Sequence, residues 1–199
     1  MLPEEMRTME KLRAELEKLI SQLYEGENKV LVHGEGNVGA RVMLIGEAPG
    51  EQETLKRRPF VGKAGKNLDE FLELAKLDRT ELYVTNTVKF RPTKISGAGR
   101  IVNRPPTQEE IALFYPYLMR EIQLIHPEHV VTLGNVPLQT LTDRKTVIGA
   151  VHGRAIAKEG FKLYPMYHPA SLIYNPSLRE VYREDVLRLA EMLESEMPH

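Results

Sequence analysis

Three polar side chains follow three separate apolar runs in the sequence: Glu47, Asn86 and His168. Each apolar run has the length and composition of a buried β-strand. If these strands are parallel, their carboxyl ends share one edge of a sheet, where ligands of open α/β sheets bind. A carboxylate, an amide and an imidazole would then meet at one mouth, a set suited to proton transfer and hydrogen-bond recognition. Taken singly, the three residues are equally explained as a helix cap, a turn residue and a surface histidine.

The elements that must position these residues alternate along the chain. Buried strands are predicted at 41–45, 81–85, 129–133 and 162–167, and helices at 64–76, 107–125, 136–141 and 179–192. Strands interleaved with helices predict right-handed crossovers and a mainly parallel sheet covered on both faces. Residues 1–24 have the pattern of an amphipathic helix that packs on this domain.

Composition restricts the function further. A chain of 199 residues that is 42% hydrophobic and 28% charged suits one globular domain, which we expect to span 1–199. The net charge of −1 excludes a uniformly basic nucleic-acid binder but allows a local basic patch. With no cysteine, the sequence offers no thiolate for catalysis, zinc or an iron–sulfur cluster. The acidic start and the lack of a membrane-length apolar run favour a cytoplasmic protein.

Four motifs occur in order: GEAPG at 46–50, RPFVGKAG at 58–65, NTVKFRP at 86–92 and HPASLIYNPS at 168–177. Together they resemble the uracil-DNA glycosylase superfamily, most closely its family 4 enzymes, from about residue 33 to the C-terminal helix. The resemblance implies a three-layer α/β/α sandwich with a central four-stranded parallel sheet. It also implies an enzyme that flips uracil out of DNA and hydrolyses its N-glycosidic bond, leaving an abasic site.

The resemblance assigns roles to individual residues. Glu47 would position or activate the attacking water, and Phe60 would stack on the extruded uracil. Asn86 would read the base edge, because an amide offers the donor and acceptor that match uracil and oppose cytosine. His168 would bond uracil O2 and stabilise the departing anion. Exclusion of the thymine methyl group depends on the wall near Glu47 and Ala48.

DNA contacts are expected from local positive charge beside the motifs. Two basic clusters contain Lys56, Arg57, Arg58, Lys63 and Lys66 around the second motif, and Lys89, Arg91, Lys94, Arg100 and Arg104 around the third. Arg58, Lys63, Lys89 and Arg91 are the predicted contacts among them.

The loop after the fourth motif supplies a further predicted DNA contact. Ser171, Leu172 and Ile173 are expected to touch DNA there, with Leu172 and Ile173 as the wedge that fills the space left by the flipped base. Tyr174 stands where family 4 often carries an arginine, which changes the backbone contacts at this loop.

The sequence departs from family 4 at the 4Fe–4S cluster that those enzymes typically hold on four cysteines. The aligned positions here are Lys18, Ser21, Phe90 and Phe114. None of these side chains ligates iron as a thiolate does. We therefore expect a cluster-free protein in which Phe90 and Phe114 fill the vacated volume with apolar packing.

Several alternatives stay open at this level. The same scaffold would suit removal of hypoxanthine, xanthine or mismatched thymine, or nucleic-acid binding without catalysis. Segment 93–106 lacks the histidine of the covalently trapping branch, so we expect turnover. No metal site is predicted, because the one local histidine pair, His126 and His129, is interpreted as a surface turn. A monomer without an obligate protein partner is expected.

Overall fold

The computed structural model describes residues 3–196. The strands are β1 (Glu35–Gly36), β2 (Val42–Gly46), β3 (Tyr83–Asn86), β4 (Thr93–Ile95), β5 (Ile101–Asn103), β6 (His129–Leu133), β7 (Ile156–Lys158) and β8 (Phe161–Met166). The helices are α1 (Pro3–Leu23), α2 (Glu51–Lys56), α3 (Lys63–Leu74), α4 (Gln108–Ile125), α5 (Asn135–Leu141), α6 (Ile148–Val151), α7 (Ser171–Tyr174) and α8 (Arg179–Ser195). The first two residues of the predicted N-terminal helix lie outside the described residues.

The main sheet has six strands in the order β1-β3-β2-β6-β8-β7. Its four central strands are parallel, which confirms the predicted four-stranded parallel sheet. The edge strands β1 and β7 pair antiparallel with β3 and β8, and neither was predicted. The register sets Gly46 opposite Asn86 and Leu133 opposite Met166. The carboxyl ends of all four parallel strands therefore meet at one edge.

Helices cover both faces of this sheet, as the predicted three-layer sandwich requires. Apolar residues of α3 and α8 pack on one face, and those of α1, α4, α5 and α6 pack on the other. Because neighbours along a strand point to opposite faces, Leu44 belongs to the first layer of contacts, while Met43 and Ile45 belong to the second. The strands that carry the motif loops are thus fixed from both sides.

Helix α4 starts where its sequence predicts. The Thr107 hydroxyl accepts from the Glu110 backbone N–H at 3.2 Å, and the Glu110 carboxylate accepts from the Thr107 N–H at 2.7 Å. This reciprocal pair satisfies two N–H groups at the helix start. Between β3 and α4 the chain forms a separate two-stranded sheet from β4 and β5, which the sequence analysis did not predict. Among the described helices, none combines the length and apolar character needed to cross a membrane.

Candidate active site

A cleft of about 640 Å³ opens at the carboxyl edge of the sheet. Glu47, Ala48, Phe60, Asn86 and His168 all line it, so the structure brings together the five residues predicted to bind a base or act on it. The remaining walls come from α2, the start of α3, residues 103–105 and the segment around α7. Loops after β2, β3 and β8 therefore contribute to one site, as expected from a parallel sheet.

Gly46 at the end of β2 has no side chain, and this leaves space for the side chains of Asn86 and Phe60 in the cleft. A Cβ atom at this position would lie 2.4 Å from Asn86 Oδ1 and 2.5 Å from Phe60 Cζ, so any larger residue would displace both groups. The ring centroids of Phe60 and His168 are 6.2 Å apart, with their planes inclined by 26°. A flat aromatic surface, an amide and an imidazole thus share one small space.

Hydrogen bonds fasten the first motif loop to the third. The backbone N–H and the hydroxyl of Thr87 donate to the Gly46 carbonyl at 2.8 and 3.0 Å, and the Val88 N–H donates to the Glu47 carbonyl at 3.0 Å. Asn86 between them is only 3% exposed, yet its side-chain amide has no hydrogen-bond partner within residues 3–196. Since buried amides are normally paired, this one is available to a ligand.

His168 presents one defined nitrogen to the cleft. Its Nδ1 accepts a hydrogen bond from the Ala170 backbone N–H at 3.1 Å. Burial lowers the pKa of His168 to about 4, so the imidazole is neutral at physiological pH. A neutral imidazole carries one N–H, and with Nδ1 as the acceptor that proton resides on Nε2. His168 is therefore a fixed, uncharged hydrogen-bond donor.

Glu47 is the acidic group of the cleft whose protonation is shifted. Its side chain is half-buried at the start of the loop after β2. Burial raises the pKa of Glu47 above that of an ordinary glutamate, because the carboxylate loses hydration. A carboxylate with a raised pKa is a stronger base, which suits it to orient water and accept a proton.

Phe60 is held in an uncommon backbone conformation. Its φ of +52° lies in the left-handed region that bulky residues rarely adopt. The Arg79 guanidinium donates to the carbonyls of Phe60 and Pro59 at 3.2 and 2.8 Å. Gly65 lies against the same turn, where a Cβ would come within 2.1 Å of the Phe60 carbonyl oxygen. The surrounding structure thus compensates the strain that aims the ring into the cleft.

Glu53 joins the first and second motif loops. One carboxylate oxygen accepts from the backbone N–H groups of Val61 and Gly62 at 3.0 and 2.7 Å, and the other accepts from Gly50 at 3.2 Å. Neither Glu53 nor Arg79 was predicted from the sequence as part of the site. No local sequence pattern marks either residue. Glu53 bonds to the N–H groups of Val61 and Gly62 across a turn, and Arg79 bonds to a loop that is distant in the sequence.

Lys89 corrects one predicted DNA contact, because it is only 1% exposed. Its ammonium donates to the Glu121 carboxylate at 2.5 Å, the Thr85 hydroxyl at 2.6 Å and the Asn86 carbonyl at 2.8 Å. Burial lowers the pKa of Lys89, and Glu121 opposes that shift. The predicted DNA contact is wrong, since α4 supplies a buried carboxylate that holds the ammonium in the interior. Lys89 instead fastens the backbone of Asn86.

The other predicted cationic contacts differ in their surroundings. Lys63 lines the cleft, whereas Arg58 and Arg91 do not. Arg58 makes two hydrogen bonds to Glu35 at 2.8 and 3.0 Å, and Arg91 donates to Asn103 at 2.7 Å. Across the two basic clusters, the residues without an ion pair in the described part of the chain are Lys56, Arg57, Lys63, Lys66, Lys94 and Arg100.

The two residues predicted as the wedge differ in exposure. Leu172 is half-buried and packs against the core cluster that contains Phe60, so it is not free to enter DNA. Ser171 is also half-buried, and its N–H donates to the His168 carbonyl at 2.8 Å. The apolar side chains that line the cleft on this rim are Ile173, 47% exposed, and Tyr174, 85% exposed. Tyr174 was missed as a wedge candidate.

An aromatic cluster lies behind the first motif loop. Phe90 and Phe114 are buried with ring centroids 5.3 Å apart at 75°, and Tyr24 meets Phe90 edge-on at 5.4 Å and 78°. Ala48 of the cleft wall packs against this cluster. Edge-to-face pairs of this kind contribute about 0.5–1.5 kcal/mol each beyond their buried area. The cluster therefore supports the cleft wall through its contact with Ala48.

The four positions aligned with the iron–sulfur ligands of family 4 are not all buried together. Lys18 and Ser21 are exposed on α1, while Leu16 and Ile20 of the same helix face the aromatic cluster. The alignment of Lys18 and Ser21 with buried ligands is therefore not supported by the structure. Aromatic and aliphatic side chains fill the space between α1, α4 and the third motif. These residues do not fit an iron–sulfur cluster, which requires thiolates.

His129 does not lie in a surface turn, contrary to the interpretation of the histidine pair. It is fully buried at the start of β6, where neither ring nitrogen makes a hydrogen bond among the described residues, although Nε2 lies 3.4 Å from a carboxylate oxygen of Glu196. His126 ends α4 in a left-handed conformation with φ of 51°. Residues 3–196 contain no group of three metal-ligating side chains that could hold an ion.

The protein has a parallel sheet covered by helices on both faces and a polar and aromatic cleft at the carboxyl edge. This arrangement is typical of α/β domains that bind a ligand. Comparison with known proteins gives the family. The family model described as the uracil DNA glycosylase superfamily matches residues 33–190, and the chain belongs to that superfamily. The resemblance seen in the four motifs is thereby confirmed.

Individual relatives agree with this assignment. The chain is 40% identical over 176 residues to the type-4 uracil-DNA glycosylase of Saccharolobus solfataricus, covering 84% of this chain and 78% of the relative. It is 38% identical over 170 residues to the type-4 enzyme of Thermotoga maritima, covering 83% and 84%. The crystal structure of wild-type SMUG2 from Pedobacter heparinus matches with a TM-score of 0.57 at 14% identity over 79% and 77% of the two chains. That structure shows the shared fold alone.

Proposed function

We propose that the protein is a uracil-DNA glycosylase that extrudes uracil from DNA, hydrolyses its N-glycosidic bond and leaves an abasic site. The observation that carries the proposal is the meeting of Phe60, Asn86 and His168 around one cleft. The relatives named as type-4 uracil-DNA glycosylases support the same activity. DNA is accordingly the proposed partner.

Recognition of the base follows from the groups in the cleft. Chemistry on a base requires removal of that base from the duplex stack into a pocket with a flat surface and polar readers. Phe60 supplies the surface, and the unpaired Asn86 amide supplies a donor and an acceptor for N3–H and O4 of uracil. Cytosine would leave these buried groups mismatched, at a cost of about 1–3 kcal/mol per group. The wall at Ala48 and Glu47 is where a thymine methyl group would meet the protein.

The chemistry begins with cleavage of the bond between the sugar C1′ and uracil N1. The bonding electrons pass to the base, whose negative charge spreads to O2, while the sugar gains oxocarbenium character. The Nε2–H of His168 donates to O2, and a preorganised donor of this kind is typically worth about 3–4 kcal/mol in the transition state. Glu47 orients a water toward C1′, stabilises the cationic sugar and accepts the proton that the water loses.

We also propose that this activity needs no iron–sulfur cluster. The full sequence contains no cysteine, and the aromatic cluster of Phe90, Phe114 and Tyr24 fills the space beside the third motif. Iron and acid-labile sulfide analysis of active purified protein tests this proposal. Stoichiometric amounts of both would contradict it.

The assembly and location proposed here are a monomer in the cytoplasm. Sedimentation of the active protein at assay concentration tests the monomer, and localisation of the native protein by immunofluorescence tests the compartment.

The decisive experiment for the activity uses single- and double-stranded oligonucleotides with one uracil. Incubation with the protein should make both alkali-labile at the uracil and release the free base, identified by chromatography. Asn86→Ala should abolish most of this release, whereas Asn28→Ala, at an exposed position away from the cleft, should not. Intact strands at high enzyme concentration would exclude the activity. Release of hypoxanthine or xanthine instead, from a panel of damaged oligonucleotides, would change the assigned base.

A further inference from the structure

The hairpin of β4 and β5 carries a feature that the proposed chemistry does not use. Ile95 and Ile101 are directly opposite each other in its register, and they are 67% and 63% exposed. Two large apolar side chains thus stand side by side in solvent at the outer end of a two-stranded sheet. An exposed apolar pair of this kind is a candidate contact surface when a partner of matching chemistry can reach it.

The position of this pair relates it to the cleft. Residues two apart on a strand share a face, so Ile101 lies on the same face of the hairpin as Asn103, and Ile95 on the same face as Thr93. Asn103 lines the cleft. The isoleucine pair therefore continues the cleft wall outward by two residues, which is about 7 Å along a strand. That distance corresponds to about two stacked nucleotides, which rise about 3.4 Å each.

The charge around the pair indicates the kind of partner. Lys94 and Arg100 are exposed on the hairpin, and neither makes an ion pair within residues 3–196. Residues 93–104 contain no acidic side chain. A partner that offers both negative charge and flat apolar surfaces at short intervals matches this composition, and a nucleic-acid strand has both.

The base of the hairpin is fixed, which distinguishes it from a mobile loop. Arg104 donates to the Thr93 carbonyl at 3.1 Å and makes two hydrogen bonds of 2.7 Å to Glu110 at the start of α4. Arg91 donates to Asn103 at 2.7 Å on the same end. Side-chain hydrogen bonds from the residues that flank the two strands therefore hold the base of the hairpin in a set direction. Less conformational freedom is then lost when a partner binds.

We propose that the outer half of this hairpin is a second DNA contact of the enzyme. The Ile95–Ile101 pair packs against the bases and sugars of the nucleotides next to the extruded one on the same strand, and Arg100, just before β5 at the turn of the hairpin, contacts their phosphates. The inference rests on the proposed function, because it takes the direction of the strand from an extruded base in the cleft. It assigns to the hairpin part of the affinity for DNA and no part in bond cleavage.

The test compares the double variant Ile95→Ser/Ile101→Ser with the control Val147→Ser/Leu187→Ser. The control residues are also exposed apolar side chains, at 50% and 38%, but they lie at α6 and α8. Fluorescence anisotropy measures the Kd for a single strand that carries the abasic product and for an undamaged strand. We expect the hairpin variant to raise both Kd values about tenfold, an effect in the range of a lost base contact. The control should bind as the wild type does.

Kinetics separate this contact from the cleft. Uracil release by the hairpin variant should slow at low enzyme concentration and recover toward the wild-type rate at saturation, and inhibition by free uracil should not change. Arg100→Gln should reduce the salt dependence of binding, by about 0.7 in the slope of log Kd against log salt for one lost phosphate contact to a single strand.

Three experimental outcomes would contradict a proposal, and each one identifies the proposal that fails. Wild-type DNA affinity in the hairpin variant would overturn the inference while the wild type still releases uracil. A wild-type dimer that the isoleucine substitutions convert to a monomer, with unchanged DNA affinity, would assign the pair to a protein interface and also overturn it. If the wild type releases no uracil at all, the proposed function fails, and the anisotropy comparison still decides whether the hairpin contacts DNA.

Discussion

The backbone N–H of Ala170 donates to Nδ1 of His168 at 3.1 Å, and this bond decides which ring nitrogen carries the proton. Both residues lie in the fourth motif, so the segment that supplies the imidazole also sets its tautomer. Because burial lowers the pKa of His168 to about 4, the ring donates as a neutral group. A neutral donor stabilises a developing anion on the base while giving up no proton to it.

His168→Ala should therefore reduce the single-turnover rate of uracil release by about 100- to 1000-fold, the usual effect of one lost oxyanion donor. The substitution removes no hydrogen bond needed for the fold except that of Ala170, so thermal unfolding should stay cooperative. Quench-flow assays at saturating enzyme measure the rate. A rate within threefold of the wild type would show that His168 does not act on the leaving base.

Glu47 should set the acidic limit of activity. Its carboxylate is the active form in the proposed mechanism, and burial raises its pKa, so activity should fall as the pH drops through that raised value. His168 adds a loss only near its own pKa of about 4. A pH profile of single-turnover rates should show this limb in the wild type and lose it in the slow variant Glu47→Gln. An unchanged limb in Glu47→Gln would assign it to another group.

The same raised pKa has an effect of opposite direction on stability. The folded state holds the Glu47 proton more tightly than the unfolded state does, so ionised Glu47 opposes folding above its unfolded pKa. Glu47→Gln should accordingly raise the melting temperature at neutral pH, and the gain should vanish as the pH falls below the ordinary range for glutamate. Thermal unfolding from pH 4 to pH 8 measures this. A constant difference at every pH would contradict the ionisation argument.

Arg79 should act on catalysis through Phe60 without touching the base. Arg79→Met removes both hydrogen bonds to the turn that holds the left-handed Phe60, so we expect slower uracil release with little change in DNA affinity. Arg79→Lys, which keeps one donor, should recover part of the rate. Asp69→Ala is the control, because it removes a 3.1 Å contact to Arg79 and leaves the turn bonded. Equal loss in Asp69→Ala would indicate a general effect on folding.

Removal of the Lys89 ammonium should lower the stability of the fold and leave the binding of DNA phosphates unchanged. Lys89→Met leaves Glu121 buried without its partner, and breaking a buried pair in this way costs about 3–5 kcal/mol. The double variant Lys89→Met/Glu121→Leu removes both charges and should regain most of that stability. Chemical denaturation measures the free energies. A stable Lys89→Met that binds DNA more weakly, with a smaller salt slope, would restore Lys89 as a DNA contact.

Much of the fold and the cleft could be predicted from the sequence, because strong local patterns determine them. The four central strands are apolar runs, and polar residues follow them at the positions where Glu47, Asn86 and His168 now meet. The pairs β1–β3 and β4–β5 could not be predicted this way. Strands of two or three residues have no measurable period, and their pairing depends on the elements already folded around them.

The burial or exposure of other residues could not be predicted, because their partners are distant in the sequence. Lys89 appears in a basic stretch, and only the approach of Glu121 from α4 shows that it is buried. Leu172 and Ile173 are adjacent apolar residues of one short helix, and only the packing of Leu172 on the core leaves Ile173 exposed. Side-chain direction within a single turn is a property of the tertiary structure.

The free amide of Asn86 and the fixed donor of His168 stand ready before any nucleotide arrives. In the proposed mechanism these contacts are made to the pyrimidine ring, and none of them requires the sugar to be attached. A uracil that has just been cut loose therefore satisfies the same groups as one still joined to its strand. If the proposed function holds, we expect slow release of the product and competition from uracil in solution, because the pocket is complete in advance.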